Sequence, residues 1–208
     1  MPTASAPEPS SAGAVRTAVW DSMERARLCA FPLPPHGHCP NFRGAADAAG
    51  LLLDHPALRN VRTLIVGPER ALLPLRRLAL RRGVALYVPH QRKEGWYWRL
   101  TDPAGAHLNR MAAMGEPRLR PEGAEMAVLA CVAADHAGGR LGKGYGWGAR
   151  GLGLGLPSGA GLPEVTLAHR LMLRPTLPCP PDSRVCLIAT PQEVLEIAPR
   201  PPEPRPAP

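Results

Sequence analysis

Residues 126–148 read MAVLACVAADHAGGRLGKGYGWG, an apolar run that leads through a short polar segment into a glycine-rich stretch. The apolar run, residues 126–133, has almost no polar interruption, which is typical of a central parallel strand buried on both faces. In the stretch that follows, small residues alternate with large ones: Gly142, Lys143, Gly144, Tyr145, Gly146 and Trp147.

The glycine-rich stretch has the composition of an anion site. Glycine allows positive φ and lets backbone amides approach a ligand, and such amides around a lysine suit phosphate. A flexible surface loop is the alternative for this stretch alone. Its place after the strongest predicted strand favours a site, because ligands of parallel α/β sheets bind beyond the carboxyl ends of strands. Neither the Walker pattern nor the dinucleotide pattern is present.

The remaining chain alternates between predicted helices and strands. Hydrophobic spacing predicts helices over residues 14–29, 45–53 and 73–82. Short apolar runs predict strands over residues 63–66, 84–88, 95–100, 164–168 and 185–189. Residues 104–123 read as irregular, and the capping box at residues 190–193 (TPQE) predicts the start of a helix. This order indicates an α/β domain with a mainly parallel sheet flanked by helices.

Composition sets the limits of the domain and the class of ligand. At 208 residues the chain fits one domain, expected over residues 14–198, between disordered tails over residues 1–13 and the proline-rich residues 199–208. The formal net charge of +8 favours anionic ligands. The sequence predicts no membrane span and no signal peptide, and therefore a cytoplasmic protein without a membrane partner.

Cysteine and histidine usage predicts neither a disulfide framework nor a zinc site. The five cysteines are scattered and form no CxxC pair, so we expect reduced thiols. His36, His38 and Cys39 lie together in a proline-rich connector over residues 31–40, but no further ligands are evident near them.

Arginines decorate the predicted helix over residues 73–82. A solvated basic face is the ordinary explanation of such a run. Nucleic-acid binding, the alternative, would require an aromatic or grooved context that the sequence does not show, and we expect no nucleic-acid partner.

Short motifs along the chain resemble, in order, those of the 5-formyltetrahydrofolate cyclo-ligase (5,10-methenyltetrahydrofolate synthetase) family, in its branch with a GRRxGKGxG-type signature. The resemblance runs from about residue 16 to residue 197. The matching pieces are Arg16, Val19-Trp20, Phe31-Pro32, His36-Gly37, Pro40-Asn41-Phe42, Gly44-Ala45, Pro68-Glu69, Pro74, Arg76, Leu80, Gly83, Leu86-Tyr87-Val88-Pro89, Arg92, Asp102-Pro103, Val132-Ala133, Arg140-Leu141-Gly142-Lys143-Gly144, Val165-Thr166, His169 and Thr190-Pro191.

The resemblance implies a NagB/RpiA/CoA-transferase-like α/β fold and a ligase that uses ATP and Mg²⁺. Its reaction would close 5-formyltetrahydrofolate to 5,10-methenyltetrahydrofolate with release of ADP and phosphate. The implied partners are folate and ATP, and the implied state is a monomer or homodimer.

The resemblance also assigns roles to residues. Lys143, Arg140 and His169 become the catalytic candidates. Nucleotide would be held by Gly142, Lys143, Gly144, Tyr145, Gly146, Trp147, Arg16 and Arg76. Folate would contact Asn41, Phe42, Tyr145 and Trp147.

The chain departs from the family where acidic residues would hold Mg²⁺. Ala149 and Gly151 stand at two such positions, Glu69 replaces an aspartate, and Asp182 is the acid left after His169. Asp135 is the nearest candidate metal ligand. Alternatively, the phosphates alone hold the metal, or the chain is a catalytically weakened protein that binds nucleotide or folate.

Overall fold

The computed structural model describes residues 10–148 and 161–198. Its α-helices are α1 (Ala12–Arg25), α2 (Ala45–Asp54), α3 (Leu73–Arg81) and α4 (Leu108–Met114). Short 3₁₀ turns cover Pro56–Leu58, Arg70–Leu72, Pro103–Ala106 and Arg170–Met172. The strands are β1 (Thr63–Val66), β2 (Ala85–Pro89), β3 (Tyr97–Leu100), β4 (Glu116–Arg118), β5 (Met126–Ala130), β6 (Ala133–Asp135), β7 (Gly139–Leu141), β8 (Glu164–Leu167), β9 (Leu173–Arg174), β10 (Ser183–Arg184), β11 (Leu187–Ala189) and β12 (Val194–Glu196).

The larger sheet of the described chain has the strand order β12-β11-β8-β5-β1-β2-β3-β4. The strands from β11 through β2 are mutually parallel, while β12 and β3 join the two sides antiparallel. Strand β1 lies inside this block, with Leu64 opposite Leu86 on one side and Met126 on the other. The prediction of a mainly parallel sheet flanked by helices is therefore confirmed.

The central strands are apolar throughout because both faces of the sheet are covered. Val66 and Val128 belong to the main core, whereas Ile65 and Leu129, one residue along each strand, belong to a second cluster on the opposite face. Helices α2 and α3 pack against each other and against strands of the sheet. Alternate residues of a strand point to opposite faces, so burial on both sides requires an unbroken apolar run.

Helix α1 follows the predicted pattern but ends earlier than expected. Ser11 caps it by accepting a hydrogen bond from the Ala14 amide, and Val15, Val19 and Met23 form its buried stripe. The prediction continued this helix to residue 29. It stops at Arg25 because Arg27 takes a left-handed backbone conformation, with φ of 53°, that turns the chain away.

The long strand predicted over residues 126–133 is in fact two strands in different sheets. Strand β5 ends at Ala130, and the chain then enters a smaller sheet with the order β9-β6-β7-β10. The first part of the glycine-rich stretch forms the turn and second strand of the β6–β7 hairpin, so the glycines from residue 142 onward leave β7 and not β5. The sequence does not indicate where β5 ends and β6 begins, because the residues on both sides of this break are apolar and buried.

The helix predicted at residue 190 is wrong. The Thr190 side chain accepts hydrogen bonds from the amides of Gln192 and Glu193, as a helix cap would. However, the Thr190 amide donates to the Glu193 carbonyl at 2.8 Å, which closes a tight turn into strand β12. A threonine can serve a turn or a cap, and here pairing of Val194 with Ala189 decides for the turn.

Residues 104–123, predicted as irregular, contain helix α4 and strand β4. Both elements are short, and helix α4 has Met111 as its buried residue, so neither carries a strong periodic signal. Among the described helices, none combines the length and the apolar character needed to cross a bilayer.

Substitution of Gly138 tests the hairpin that leads to the glycines. Gly138 has φ of 82°, and a Cβ there would lie 2.5 Å from the Val185 carbonyl oxygen. Gly123 has φ of 70° with open space around it. Both alanine variants strain the backbone, by about 1–2 kcal/mol. We expect Gly138→Ala to lower the free energy of unfolding by about 2 kcal/mol more than Gly123→Ala, measured by urea denaturation; equal losses would contradict this account of the hairpin.

Candidate functional site

A cleft of about 720 Å³ opens beyond the carboxyl ends of β1 and β2. Its walls are the turn after β1, the connection between β2 and β3, and the glycine loop, defined here as residues 142–148. The lining residues are Pro68, Glu69, Pro89, His90, Gln91, Arg92, Glu94, Gly95, Trp96, Tyr97, Lys143, Gly146 and Trp147. The cleft thus lies where ligands of parallel sheets bind.

Left-handed glycines shape the glycine loop. Gly144, Gly146 and Gly148 have φ of 94°, 75° and 72°. These values alternate with the right-handed or extended conformations of the residues between them, a pattern that forms concave runs of backbone amides. A Cβ on Gly144 would also lie 3.3 Å from the Arg16 guanidinium, so this position combines a backbone requirement with a close approach.

Lys143 supplies the positive side chain of the glycine loop at the cleft. It is half-buried, and its Nζ lies 4.9 Å from the centre of the Tyr145 ring. Its side chain makes no hydrogen bond or ion pair within the part of the chain that the structure describes. Lys143 also lines a pocket of about 10 Å³ beneath the cleft, which is room for about one water molecule.

Glu69, in the turn after β1, lines the cleft and the small pocket together with Lys143 and Trp147. Burial raises the pKa of its carboxyl group, and its own backbone amide and the cations Lys143, Arg76 and Arg140 oppose that rise. The carboxylate folds over Gly67, where any Cβ would overlap with it and would lie 3.5 Å from the Trp147 ring. A side chain at residue 67 would therefore require the Glu69 carboxylate to move.

Aromatic side chains line the cleft both from the connection between β2 and β3 and from the glycine loop. Trp96 and Tyr97 line the cleft together with Trp147. The Tyr97 ring meets Tyr87 edge-on at 6.3 Å, and burial raises the pKa of its hydroxyl while a hydrogen bond with Trp147 opposes the rise. The sequence predicts Trp147 at the site, whereas it indicates only a strand for Trp96 and Tyr97. Trp96 directly precedes β3 and Tyr97 begins it, so their place in the cleft depends on the pairing of β3 with β2.

Two of the three arginines predicted at the site, Arg16 and Arg140, bind the ends of the glycine loop. Arg16 donates from Nε to the Gly142 carbonyl at 2.7 Å and from its terminal nitrogen to Asp182 at 2.8 Å. Arg140 is buried and donates to the Ala130 carbonyl at 2.7 Å, to the Ser183 hydroxyl at 2.8 Å and to the Gly148 carbonyl. Both guanidinium groups therefore already have oxygen partners.

Arg76 and Asp135 are also engaged with the backbone. Arg76 donates to the carbonyls of Gly67, Glu69 and Ala106, and burial lowers its pKa to about 10 although Glu69 favours the charged form. Asp135 accepts hydrogen bonds from the amides of residues 137, 139 and 177 at 2.7–3.0 Å. Through these contacts Arg76 stabilises the turn after β1, and Asp135 stabilises the β6–β7 hairpin.

No group of three or more His, Cys, Asp or Glu side chains among the described residues is placed to hold a metal ion. Ala149 and Gly151, where the sequence departs from the resembled pattern, lie outside the described residues. The expected tails, residues 1–13 and 199–208, lie outside them as well apart from residues 10–13. The five cysteines are free thiols.

Of the predicted folate contacts, Trp147 lines the cleft, whereas Asn41, Phe42 and Tyr145 do not. Phe42 is buried in the main core, and its ring lies 6.2 Å from that of His169. Asn41 donates to the Phe31 carbonyl at 2.8 Å. Burial, and then Arg170, lowers the pKa of His169, whose Nδ1 accepts from the Leu171 amide. Tyr145 is 56% exposed and donates to the Gly37 carbonyl.

Comparison with known proteins places this arrangement in a family. The model of the 5-formyltetrahydrofolate cyclo-ligase family matches residues 16–191. The chain belongs to that family. The family is one of ligase-type enzymes, and its match spans both walls of the cleft.

Named relatives and a solved structure agree with the assignment. The chain is 34% identical over 170 residues to a methenyltetrahydrofolate synthase domain-containing protein of Mus musculus and 29% identical to that of Homo sapiens. Each match covers 74% of this chain but 46% and 44% of the relative, so the chain spans less than half the length of these relatives. The structure of 5,10-methenyltetrahydrofolate synthetase from Aquifex aeolicus shares the fold, with a TM-score of 0.59, 21% identity, and coverage of 93% of this chain and 97% of that one.

The raised pKa of Glu69 predicts a pH-dependent effect on stability. A carboxyl pKa raised on folding contributes stability below its unfolded value, about 4.5, and loses it as pH rises through the folded value. Glu69→Gln removes this titration. We expect the variant to match the wild-type free energy of unfolding near pH 4 and to exceed it near pH 8, measured by urea denaturation. The exposed control Glu122→Gln should leave the free energy of unfolding unchanged at both pH values. A free energy of unfolding that falls equally at both pH values in Glu69→Gln would refute the prediction.

Proposed function

We propose that this chain binds ATP and 5-formyltetrahydrofolate in the cleft and closes the folate to 5,10-methenyltetrahydrofolate. The observation that carries the proposal is the half-buried side chain of Lys143, which lines the cleft from a loop of left-handed glycines and makes no hydrogen bond or ion pair among the described residues. Family membership supplies the reaction class.

The proposed reaction has two steps. The formyl oxygen attacks the γ-phosphorus of ATP, and ADP leaves. The N10 amine then attacks the activated formyl carbon, the carbon–oxygen bond breaks with release of phosphate, and N10 gives up its proton. Phosphoryl transfer depends mainly on positioning and on neutralisation of charge.

The chain's own groups suit the first step. Lys143 would neutralise phosphate charge from the edge of the cleft, and the amides of the glycine loop would donate to phosphate oxygens. Arg140 and Arg16 would act through the backbone of the loop, because their described hydrogen bonds go to protein oxygens. His169 does not line the cleft, so the proposal gives it no contact with the reacting atoms.

Other side chains of the cleft suit the folate ring. A pteridine presents N–H donors at its edge and a flat face, for which a carboxyl group and indole rings are suitable partners. Glu69 provides the carboxyl group, and Trp96 and Trp147 provide the indoles, all within the same cleft. We therefore place the pteridine between Glu69 and the two tryptophans.

The described residues do not form a protein cage for Mg²⁺. Asp135 is bound to backbone amides, and the carboxyl of Glu69 is biased by burial toward its neutral form. Mg²⁺ commonly binds substrate phosphates and water with few protein ligands. We propose that any Mg²⁺ enters with the nucleotide and derive no step from it.

A catalytically weakened binding protein is the second candidate. It is favoured by Ala149 and Gly151 in the sequence, and by the finding that no three His, Cys, Asp or Glu side chains among the described residues are grouped to hold a metal ion. Purified protein with 5-formyltetrahydrofolate, ATP and Mg²⁺ separates the two, since methenyl product absorbs where the substrate does not. Formation of product supports the ligase. ATP binding by calorimetry without formation of product supports the second candidate. A protein that neither forms product nor binds ATP would contradict both candidates.

Lys143→Ala tests the placement of the phosphates. Loss of a half-buried charge-assisted contact is expected to weaken ATP binding by about tenfold or more, measured by isothermal titration calorimetry. Lys93→Ala is the matched control. Lys93 is an exposed lysine on the connection between β2 and β3, and like Lys143 it stacks on an aromatic ring, with its Nζ 5.4 Å from the centre of the Trp96 ring. ATP affinity that falls equally in both variants, or in neither, would overturn the placement.

A further inference from the structure

We propose that Arg16 and Asp182 are positioning residues, which fix the glycine loop through the Gly142 peptide unit and do not bind phosphate. The proposal rests on the proposed function only in calling the glycine loop a phosphate site. The clamp itself is a feature of the free protein and can be tested without ligand.

The clamp holds Gly142 from both sides. Arg16 Nε donates to the Gly142 carbonyl at 2.7 Å, and the Gly142 amide donates to Asp182 Oδ2 at 2.9 Å. The same Oδ2 accepts from the Arg16 terminal nitrogen at 2.8 Å. The guanidinium, the carboxylate and one peptide unit therefore form a closed hydrogen-bonded ring that joins helix α1, the end of β7 and the residue before β10.

Burial makes this ring stronger than an ordinary surface ion pair. The side chains of Arg16 and Asp182 are 13% and 21% exposed, so both are largely removed from water. Charged groups in such positions require nearly all their partners, and loss of one leaves the other incompletely satisfied. The Arg16 guanidinium also lies close beneath Gly144, where a Cβ would come within 3.3 Å of it.

The hydrogen-bond geometry distinguishes Arg16 from Lys143. Arg16 donates to two acceptors from two different nitrogens held in the fixed plane of a guanidinium, whereas all three donors of an ammonium group lie on one nitrogen. Lys143 is the next residue after Gly142, directly before the first left-handed glycine of the loop, Gly144, and it lines the cleft. Arg16 thus determines where the backbone of Lys143 starts, and through it where the amine lies.

Variants at the two clamp residues test the ring in the free protein. Arg16→Gln and Asp182→Asn should each raise hydrogen–deuterium exchange of peptides that contain residues 142–148, and the double variant should raise it no further. Arg25→Gln is the control, because Arg25 is an exposed arginine on the same helix whose Nε donates to the Asp21 carbonyl. Exchange unchanged in either single variant would overturn the clamp whatever the protein binds.

ATP affinity, measured by calorimetry well below the melting temperature of each variant, tests the positioning role. Each single variant should bind ATP about tenfold more weakly, and the double variant should be no weaker than the worse single variant, since both lose one clamp. Arg16→Lys keeps the charge and should bind as weakly as Arg16→Gln. Affinity restored by Arg16→Lys, or losses that add in the double variant, would mean that Arg16 contacts phosphate and would overturn the proposal. Wild-type protein that binds no ATP would refute the proposed function while the exchange result still decides the clamp.

Discussion

The buried guanidinium of Arg140 joins the parts of the molecule that form the cleft. It donates to Ala130 at the end of the main sheet, to Ser183 in the smaller sheet, and to Gly148 at the end of the glycine loop. A charge this deeply buried is stable only when its hydrogen bonds are made. The end of β5, the start of β10 and the glycine loop are therefore constrained relative to one another, and the cleft exists because they are.

The same requirement explains why a basic chain has few free cations at its cleft. Loop carbonyls that belong to no sheet or helix still need donors when they are buried. Arg76, Arg16 and Arg140 supply them at Gly67, Gly142 and Gly148. Arginine suits this work because its fork of donors serves several acceptors at once, whereas lysine presents a single charged centre. Arg76 and Arg140 keep their positive charge, as their effect on the pKa of Glu69 shows, but the N–H groups directed at these carbonyls already donate to protein oxygens.

Local patterns predicted the elements that depend on local chemistry. The strand over residues 63–66 and the helix that has Pro74 in its first turn agree with the structure. Burial on both faces requires a run of apolar residues, and a proline marks a first turn, so a few residues are enough to predict each element. The helix predicted at Thr190 is wrong because the side-chain hydrogen bonds of a threonine are the same in a turn and at the start of a helix. Ala130 gave no sign of the strand's end, since the change of sheet there is set by Arg140, ten residues later.

The site was predictable only in part. One wall of the cleft is a single continuous stretch of sequence, whereas the other is formed by residues that lie far apart in the sequence. Glycines and a lysine in alternation identify the glycine loop, and Trp147 belongs to the same stretch. Glu69 and Trp96 reach the cleft from the ends of β1 and β2, and their approach depends on the order of strands in the sheet.

The charges at the cleft also couple its two walls. Lys143 is one of the cations that favour the ionised form of Glu69 against burial. A phosphate that neutralises Lys143 weakens that support, so anion binding at the glycine loop makes the neutral carboxyl of Glu69 more favourable. A pteridine whose N–H groups face Glu69 favours the ionised form instead. Because linkage is reciprocal, the proton on Glu69 responds in opposite directions to the two proposed ligands, and each ligand's affinity depends on whether the other is bound.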